Sequence, residues 1–469
     1  MKIKFNVTTS YNWRGSPVGI VRTEIEILKA IRKLPGVQLS LFIIENESVY
    51  PLTFEDYEKG KSVETPHAVI PVEPQKEYVV PLVSKKEALK RLAQASLSLS
   101  PEALRPAINL VANSCAGLLK KILRVKKNYN VRHRLSLNLE RQSQNVNKKS
   151  GFENSDFFDD GDVIITAGLD WEIPNLFENL YFLKKDKQIN IVSFCYDLIP
   201  VYYPQYCTFN TVCLFSSYFL DLIETSDLIC CISKSTERDL RRFISETGAK
   251  ETATSVLYLG ADIKTNPNSC STETCKINVR LDVPYLLYVS TIERRKNHEV
   301  LYRAYRKLIE DGYGDVLPDL YFVGMEGWGV HDFLRDLSLD PLIGDKIRIL
   351  GRLDDAQLEQ LYENSLFVLF PSLYEGWGLG VAESLSFGKF VLSSDRGSLP
   401  EVGRNLVDYV DPLRPDLWAE KILFYSTDKE ALRNKEDEIK KMWAPYTWEA
   451  TAKKLLNDLK DLDIKSQSK

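Results

Sequence analysis

The chain has no run of 18 apolar residues, so no stretch of it reads as a membrane span. Histidine is scarce, four in 469 residues, and the eight cysteines show no repeated pair spacing, which argues against a Cys/His zinc site. Cys195 and the Cys230-Cys231 pair fall in expected strands and read as buried thiols, while Cys270 and Cys275 lie in a polar stretch. Such usage fits a reducing compartment. The opening MKIKFNVTTSYNW is too short and too polar for a secretory leader, so the expected location is cytoplasmic. Its Ile3, Phe5 and Val7 alternate as in a first strand.

What is present is a globular composition, 44% hydrophobic and 11% aromatic, on a chain long enough for two or three domains. The net charge of −4 hides an uneven distribution. Residues 81–150 hold fifteen Lys+Arg against three Asp+Glu, which leaves +12 there and −16 elsewhere. Ala107–Leu123 has helical apolar spacing, with Lys120, Lys121, Arg124, Lys126 and Lys127 clustered at its end. One reading is a solvated insertion. The other is a patch that docks on anionic lipid headgroups, each basic residue contributing about 1 kcal/mol. No recognised nucleic-acid module accompanies the charge, so nucleic acid is not an expected partner.

The stretch that organises the rest is Phe367–Gly388, FVLFPSLYEGWGLGVAESLSFG. An apolar run to Phe370 reads as a buried strand. Pro371, Ser372, Gly376, Gly378 and Gly380 then break the pattern, and a helix begins near Leu379 with Val381, Ala382, Leu385 and Phe387 on one face. Strand, glycine-rich loop and helix together offer backbone N–H groups to an anion at a helix start. Glu375 sits in the loop and Glu383 about a turn into the helix, so a carboxylate brackets each side of that anion. A phosphorylated sugar suits this arrangement, with Glu383 accepting from a ribose. Both acids can also be read as helix-start residues favoured by the macrodipole.

Glu375-Gly376-Trp377-Gly378-Leu379 through Glu383 resembles the donor-binding motif of the retaining GT-B glycosyltransferases of family GT4, the glycosyl transferases group 1. Gly380 stands where that family often has Pro. Other segments are similar to the family too. Gly19-Ile20-Val21-Arg22 opens the first expected helix and resembles the family's G-I-x-R loop, near the acceptor. Read alone, Gly19 permits a turn and Arg22 is a solvated helix residue. Gly168-Leu169-Asp170-Trp171 and Pro174-Asn175 resemble a bacterial branch of the family. Tyr196-Asp197-Leu198-Ile199-Pro200 resembles its H-D-L-x-P segment beside the donor sugar, with Tyr196 in place of His and Asp197 also readable as a turn cap.

Ser290-Thr291-Ile292-Glu293-Arg294-Arg295-Lys296-Asn297 leaves the end of an expected strand, Tyr285–Val289. Arg grips phosphate oxygens bidentately and Lys adds a point charge, so a diphosphate suits this position. The segment is similar to the family's G-T-L-E-P-R-K-N, and Arg295 and Lys296 match its pyrophosphate-contacting residues. Arg294 replaces Pro and Ser290 replaces Gly. Gly351-Arg352-Leu353 matches the turn that passes the nucleotide base, and Ser398-Leu399-Pro400-Glu401 the family's S-L-P-E.

Further strands are expected over Val37–Ile44, Val163–Thr166, Ile189–Cys195, Asp227–Ile232, Val256–Leu259, Leu320–Gly324, Ile347–Leu350 and Phe390–Ser394, with residues 45–80 irregular. The acidic run Asn154–Asp162 reads as a solvated loop, because it precedes its strand and ligands gather at carboxyl ends. Alternating βα units in two halves imply an α/β protein, and the resemblance makes it GT-B: two Rossmann-like parallel-sheet domains facing a central cleft. The expected boundaries are an acceptor-side domain over 1–263 with the basic insertion at about 81–150, a linker at 264–282, a nucleotide-sugar domain over 283–443, and a helix over 444–469 that returns to the first domain.

The resemblance implies a retaining, metal-independent transfer of a sugar from a nucleotide-sugar donor to a hydroxyl of a glycan or lipid-linked glycan, with no cofactor beyond the donor. GDP-mannose is the first donor it suggests. Glu375, Arg295 and Lys296 are the expected catalytic residues. Gly19, Tyr196, Asp197, Ser290, Thr291, Arg352, Gly376, Trp377, Gly378, Leu379 and Glu383 are the expected binding residues. The expected place is the cytoplasm, on the inner face of the plasma membrane if the basic segment docks there. Two alternatives stand beside this. One is a starch- or glycogen-synthase-like enzyme, whose lysine- and glycine-rich first loop is missing here, Arg14-Gly15-Ser16 being a poor substitute. The other is a non-catalytic sugar-nucleotide-binding subunit of a polysaccharide assembly complex.

Overall fold

The structure is a computed structural model, and it describes residues 1–14, 19–62, 151–261 and 282–467. The basic segment, the interdomain linker and the loop at 15–18 lie outside these residues. The described residues form one compact unit.

Short apolar runs build two sheets. The first contains β1 (Lys2–Asn6), β2 (Gln38–Glu45), β3 (Ser48–Leu52), β4 (Val163–Thr166), β5 (Asn190–Cys195), β6 (Leu228–Cys231) and β7 (Ala253–Val256). Its order is β3-β2-β1-β4-β5-β6-β7. Only the β2/β3 pair is antiparallel. The second contains β8 (Tyr285–Val289), β9 (Asp319–Val323), β10 (Ile347–Ile349), β11 (Val368–Phe370), β12 (Val391–Ser394) and β13 (Asp408–Val410). Its order is β10-β9-β8-β11-β12-β13, all parallel. Central strands such as β4, β6 and β9 are buried along their whole length, as parallel strands covered on both faces must be.

Strand order reverses between β1 and β4 in the first sheet and between β8 and β11 in the second. In open parallel sheets ligands bind at such reversals, beyond the carboxyl ends. The loops there lead into α1 (Gly19–Arg32), α3 (His298–Glu310) and α4 (Leu379–Ser386), while α2 (Lys234–Thr247) follows β6 at the carboxyl edge of the first sheet. The last helix, α5 (Trp448–Gln467), packs on α1. Its Trp448 covers Gly260, its Thr451 hydroxyl donates to the Tyr258 carbonyl at 2.7 Å, and its Asp458 accepts from Ser255 at 2.6 Å.

Several expectations are corrected. Residues 45–62 are ordered, not irregular: β3 returns along β2, and a helix covers Phe54–Ser62. The turn uses Asn46 and Glu47 at φ 50° and 63°. A left-handed pair without glycine lacks the usual hairpin signal. β7 is Ala253–Val256, not Val256–Leu259. Leu257 and Leu259 are buried, but in the core beyond the strand, so the apolar run marks burial and not extended pairing. β13 was not expected at all, being three residues with two of them only half-buried. Asp162 is fully buried rather than solvated. It accepts from the Asp159 amide at 2.9 Å and pairs with Lys4 at 3.7 Å.

A Cβ at Gly260 would lie 2.5 Å from Trp448 Cγ and from its backbone nitrogen. Gly260→Ala should therefore cost about 1–3 kcal/mol by overpacking, seen as a Tm several degrees lower in a thermal melt. An unchanged Tm would show that α5 can slide without penalty.

Candidate functional site

The site is built at the strand-order reversal of the second sheet. β8 and β11 are neighbours, with Val368 opposite Leu287, so the loops leaving them run side by side. After β8 the chain makes a single 3-10 turn, Arg294–Lys296, and Asn297 then adopts φ 58° to enter α3. The Asn297 side-chain amide ties this turn to its neighbours, donating to the carbonyls of Pro371 at 3.0 Å and Pro412 at 2.8 Å. After β11 the chain passes Glu375 and reaches Gly378, whose φ of +111° allows the sharp entry into α4.

These two loops clasp. Arg295 Nη1 donates to Glu375 Oε2 at 2.7 Å and to the Tyr374 carbonyl at 2.9 Å, and its Nη2 donates to Glu293 at 2.6 Å. Lys296 Nζ donates to Glu375 Oε1 at 2.6 Å. Both oxygens of Glu375 are thus taken by cations; Glu375 is buried, and the Arg295 and Lys296 side chains are 17% and 15% exposed. Burial pushes the Glu375 carboxyl up, but Arg295 and then Lys296 outweigh it and hold it at about 2. Burial raises the neighbouring Asp197 and Glu293 carboxyls, with Arg295 opposing in each case. Arg294, the third member of the triplet, is exposed.

Glu383 faces the other sheet. Arg22 of α1 donates to its Oε1 at 2.8 Å. Burial raises the Glu383 carboxyl and Arg22 opposes the shift. Gly19 begins α1 at φ +52° and is exposed. From β5, Tyr196 is buried and gives its hydroxyl to the Ala167 carbonyl, while Asp197 Oδ1 accepts from the Ile199 amide at 3.0 Å, the expected turn cap. Gly376 packs directly on this segment: a Cβ there would meet the Tyr196 carbonyl at 2.3 Å. Gly380, where Pro was expected from the resemblance, abuts the Phe370 ring, which a Cβ would approach to 2.8 Å.

Glu375, Arg295, Lys296, Asp197, Tyr196 and Gly376 therefore come together, with Glu383 on the same helix start as Gly378 and Leu379. Trp377 does not present its ring to the cleft. The indole is buried and stacks on Tyr258 at 5.1 Å, as part of the seam between the sheets. Ser290 lies 3.4 Å from His298 Nε2, at the inner end of the β8 loop. Thr291 and Arg352 are exposed and take no part in the clasp.

In the sequence Glu401 stands out only as part of the Ser398–Glu401 motif, and nothing there marks it, Ser235, Tyr374 or Trp328 as joining the halves. Glu401 caps α2 from the opposite sheet, accepting from the amides of Lys234 and Ser235 at 2.8 Å each. Ser235 donates to the Gly397 carbonyl at 2.9 Å, and Tyr374 gives its hydroxyl to Asp239. The Trp328 indole donates to the Tyr206 carbonyl at 2.7 Å. A glutamate three residues after a serine at a helix start reads as belonging to its own helix and gives no sign that it caps a different one.

Because the Glu375 carboxyl is depressed in the folded state, it stabilises fully above its unfolded value near 4.5 and loses that effect as pH falls toward about 2. Glu375→Gln should cost about 3–5 kcal/mol at pH 7, as expected for a buried pair broken on one side. The gap in denaturation midpoint between the two proteins should stay constant above pH 5 and narrow below it. A gap independent of pH down to the acid transition would contradict the ion-paired state.

Residues 272–442 match the family model of the glycosyl transferases group 1. The serotype-specific mannosyltransferase WbdA of Escherichia coli is 26% identical over 198 residues, which is 40% of this chain and 24% of that protein. The O-antigen chain mannosyltransferase B of Escherichia coli is 28% identical over 220 residues, 47% of this chain and 57% of that protein. The chain thus spans 24% to 57% of the length of these relatives. Anabaena Alr3699/HepE, crystallised with UDP and glucose, superposes with a TM-score of 0.56 at 14% identity, over 98% of this chain and 100% of that one. That likeness carries the fold, two parallel sheets in the GT-B arrangement. On this fold, residues 272–442 belong to the glycosyl transferases group 1 family.

Proposed function

We propose that the protein is a retaining, metal-independent glycosyltransferase that moves a sugar from a nucleotide-sugar donor to a hydroxyl of a glycan or lipid-linked glycan. The observation that carries this is the Arg295–Glu375–Lys296 clasp at the strand-order reversal, next to the glycine-rich start of α4. Two largely shielded cations at that place can stabilise negative charge as it develops on a leaving diphosphate, and they need no reorganisation to do so. The backbone amides at Gly376, Trp377, Gly378 and Leu379 add the helix-start contribution. Ser290, Thr291 and Arg352 would meet the nucleotide, and Glu383 the ribose hydroxyls. Tyr196, Asp197 and Gly19 would border the transferred sugar and the acceptor.

The state of Glu375 supports a same-face mechanism. A carboxylate held by two cations at a pKa of about 2 is a weak base and a weak nucleophile. Its role in this reading is to fix the cations and orient the sugar, while the leaving diphosphate assists the incoming hydroxyl. The names of the two Escherichia coli relatives support a mannosyl donor, so GDP-mannose is the first to test. The site we propose for this activity is the cytoplasm. The +12 charge of residues 81–150 supports docking on the anionic inner face of the plasma membrane. Among the described residues no helix is long and apolar enough to cross a membrane.

The test is release of free nucleotide across UDP-, GDP- and dTDP-sugars with purified protein. One donor should turn over. Arg295→Ala and Lys296→Ala should each lower kcat by about 10²–10³-fold, and Glu383→Ala should act mainly on donor KM. Tight nucleotide binding with no turnover, lipid extracts included, would instead identify a non-catalytic binding subunit.

A further inference from the structure

A second space opens behind the clasp, on the side of the first sheet. A cavity of ≈ 170 Å³ starts at Asp197 and Arg295 and runs toward the helix Phe209–Thr225. Its walls are Trp171, Phe194, Ile199, Phe215, Tyr218 and Phe219. These rings pack on one another, Trp171 lying 4.8 Å from Phe215 and 5.8 Å edge-to-face from Tyr218. Trp328, from the loop after β9, borders it from the second sheet, held there by its bond to the Tyr206 carbonyl. The charged lining is confined to one end: Asp197, and Arg295 with its bonds to Glu293 and Glu375. The helix Phe209–Thr225 supplies Thr211, Phe215, Tyr218 and Phe219 to the lining from one face.

A ligand matching this space is polar at one end and apolar along its body. We propose that the cavity holds the apolar part of the acceptor, so that the acceptor is an amphiphile. Its hydroxyl lies beside Asp197 and Arg295, next to the clasp, and its hydrocarbon lies among the rings of Trp171, Phe215 and Tyr218. This rests on the transferase reading for the word acceptor, and on the cavity alone for the apolar site. A sugar acceptor without an apolar group would leave the rings with nothing to bury. Each methylene that the cavity does bury should tighten binding roughly fourfold.

The test compares methyl β-D-glucoside with n-octyl β-D-glucoside, the latter below its micellar concentration, by titration calorimetry on the full chain. The same pair then serves as acceptors in the donor assay. The octyl compound should bind at least about 100-fold more tightly. Thr211→Trp, which places an indole at the cavity wall, should remove that preference, and Phe215→Ser should weaken it. Leu339→Ser, at a residue 68% exposed that does not line the cavity, should leave it unchanged and so exclude general adsorption of detergent. Equal binding of the two glycosides, or an octyl preference untouched by Thr211→Trp, would overturn the site even if a donor turns over. An octyl preference lost in Thr211→Trp, with no nucleotide released from any donor, would uphold the apolar site and remove the transferase reading.

Discussion

Two positive charges on consecutive, largely shielded residues repel each other, and a carboxylate lying against both offsets that repulsion. In this chain Glu375 supplies that carboxylate, one oxygen to Arg295 and one to Lys296. The consequences reach beyond the ion pairs. The amide of Leu373 donates to the Arg295 carbonyl at 2.8 Å, and Asn297 holds Pro371, so the loop after β11 is tied to the turn after β8 at several points. The loop that starts α4 therefore has its course set by the cations beside it. A buried pair of this kind contributes little net stability over an apolar substitute, yet is costly to break on one side. Its retention is understood if the charges have chemical work at that place, and a strand-order reversal is where such work is expected.

Close backbone approach adds to the side-chain contacts between the two halves. Gly376 abuts the Tyr196 carbonyl, while within the second half Gly397 abuts the backbone of Glu375, which a Cβ there would approach to 2.4 Å. The Thr236 hydroxyl bridges the first contact, reaching the carbonyls of Tyr196 at 3.1 Å and Gly376 at 3.4 Å. The glycines of the E-G-W-G stretch thus have separate reasons. Gly378 permits a left-handed entry into α4, and Gly376 permits one sheet to reach the other. Glu401 adds two bonds to the amides that open α2, groups that no residue within α2 could satisfy.

This division decides what could be read from the chain alone. The two loops of the clasp were legible, because each is local, follows a buried strand and lies at a carboxyl end; the ion pairs between them were not. The parallel sheets were legible for the same reason, as repeated apolar runs separated by helical spacing. The hairpin at Asn46-Glu47 was not, since two non-glycine residues carry the left-handed turn. Nor was the end of β7, where Leu257 and Leu259 are apolar for burial beneath α5 rather than for pairing. Only the backbone amide of Trp377 was legible as a ligand contact, and nothing in the sequence accounted for its ring, which Tyr258, more than a hundred residues away, stacks on. Contacts across such separations leave no periodicity to detect.

Arg22 shows how far such a contact can matter. Read within α1 it is one more basic residue on a helix surface, yet it pairs with Glu383 across the two sheets. Burial by itself drives Glu383 toward its neutral form, and Arg22 opposes that drift. The ionised state of Glu383 is therefore partly sustained by a helix from the other half of the chain. Any motion that separated the sheets would remove Arg22 and the Gly376–Tyr196 contact together, because both span the same seam. Glu383, the glycine loop and the aromatic cavity behind Asp197 are consequently not independent features, because their geometry is defined only with the halves together. On the function we propose, a donor and an acceptor would each need that closed arrangement.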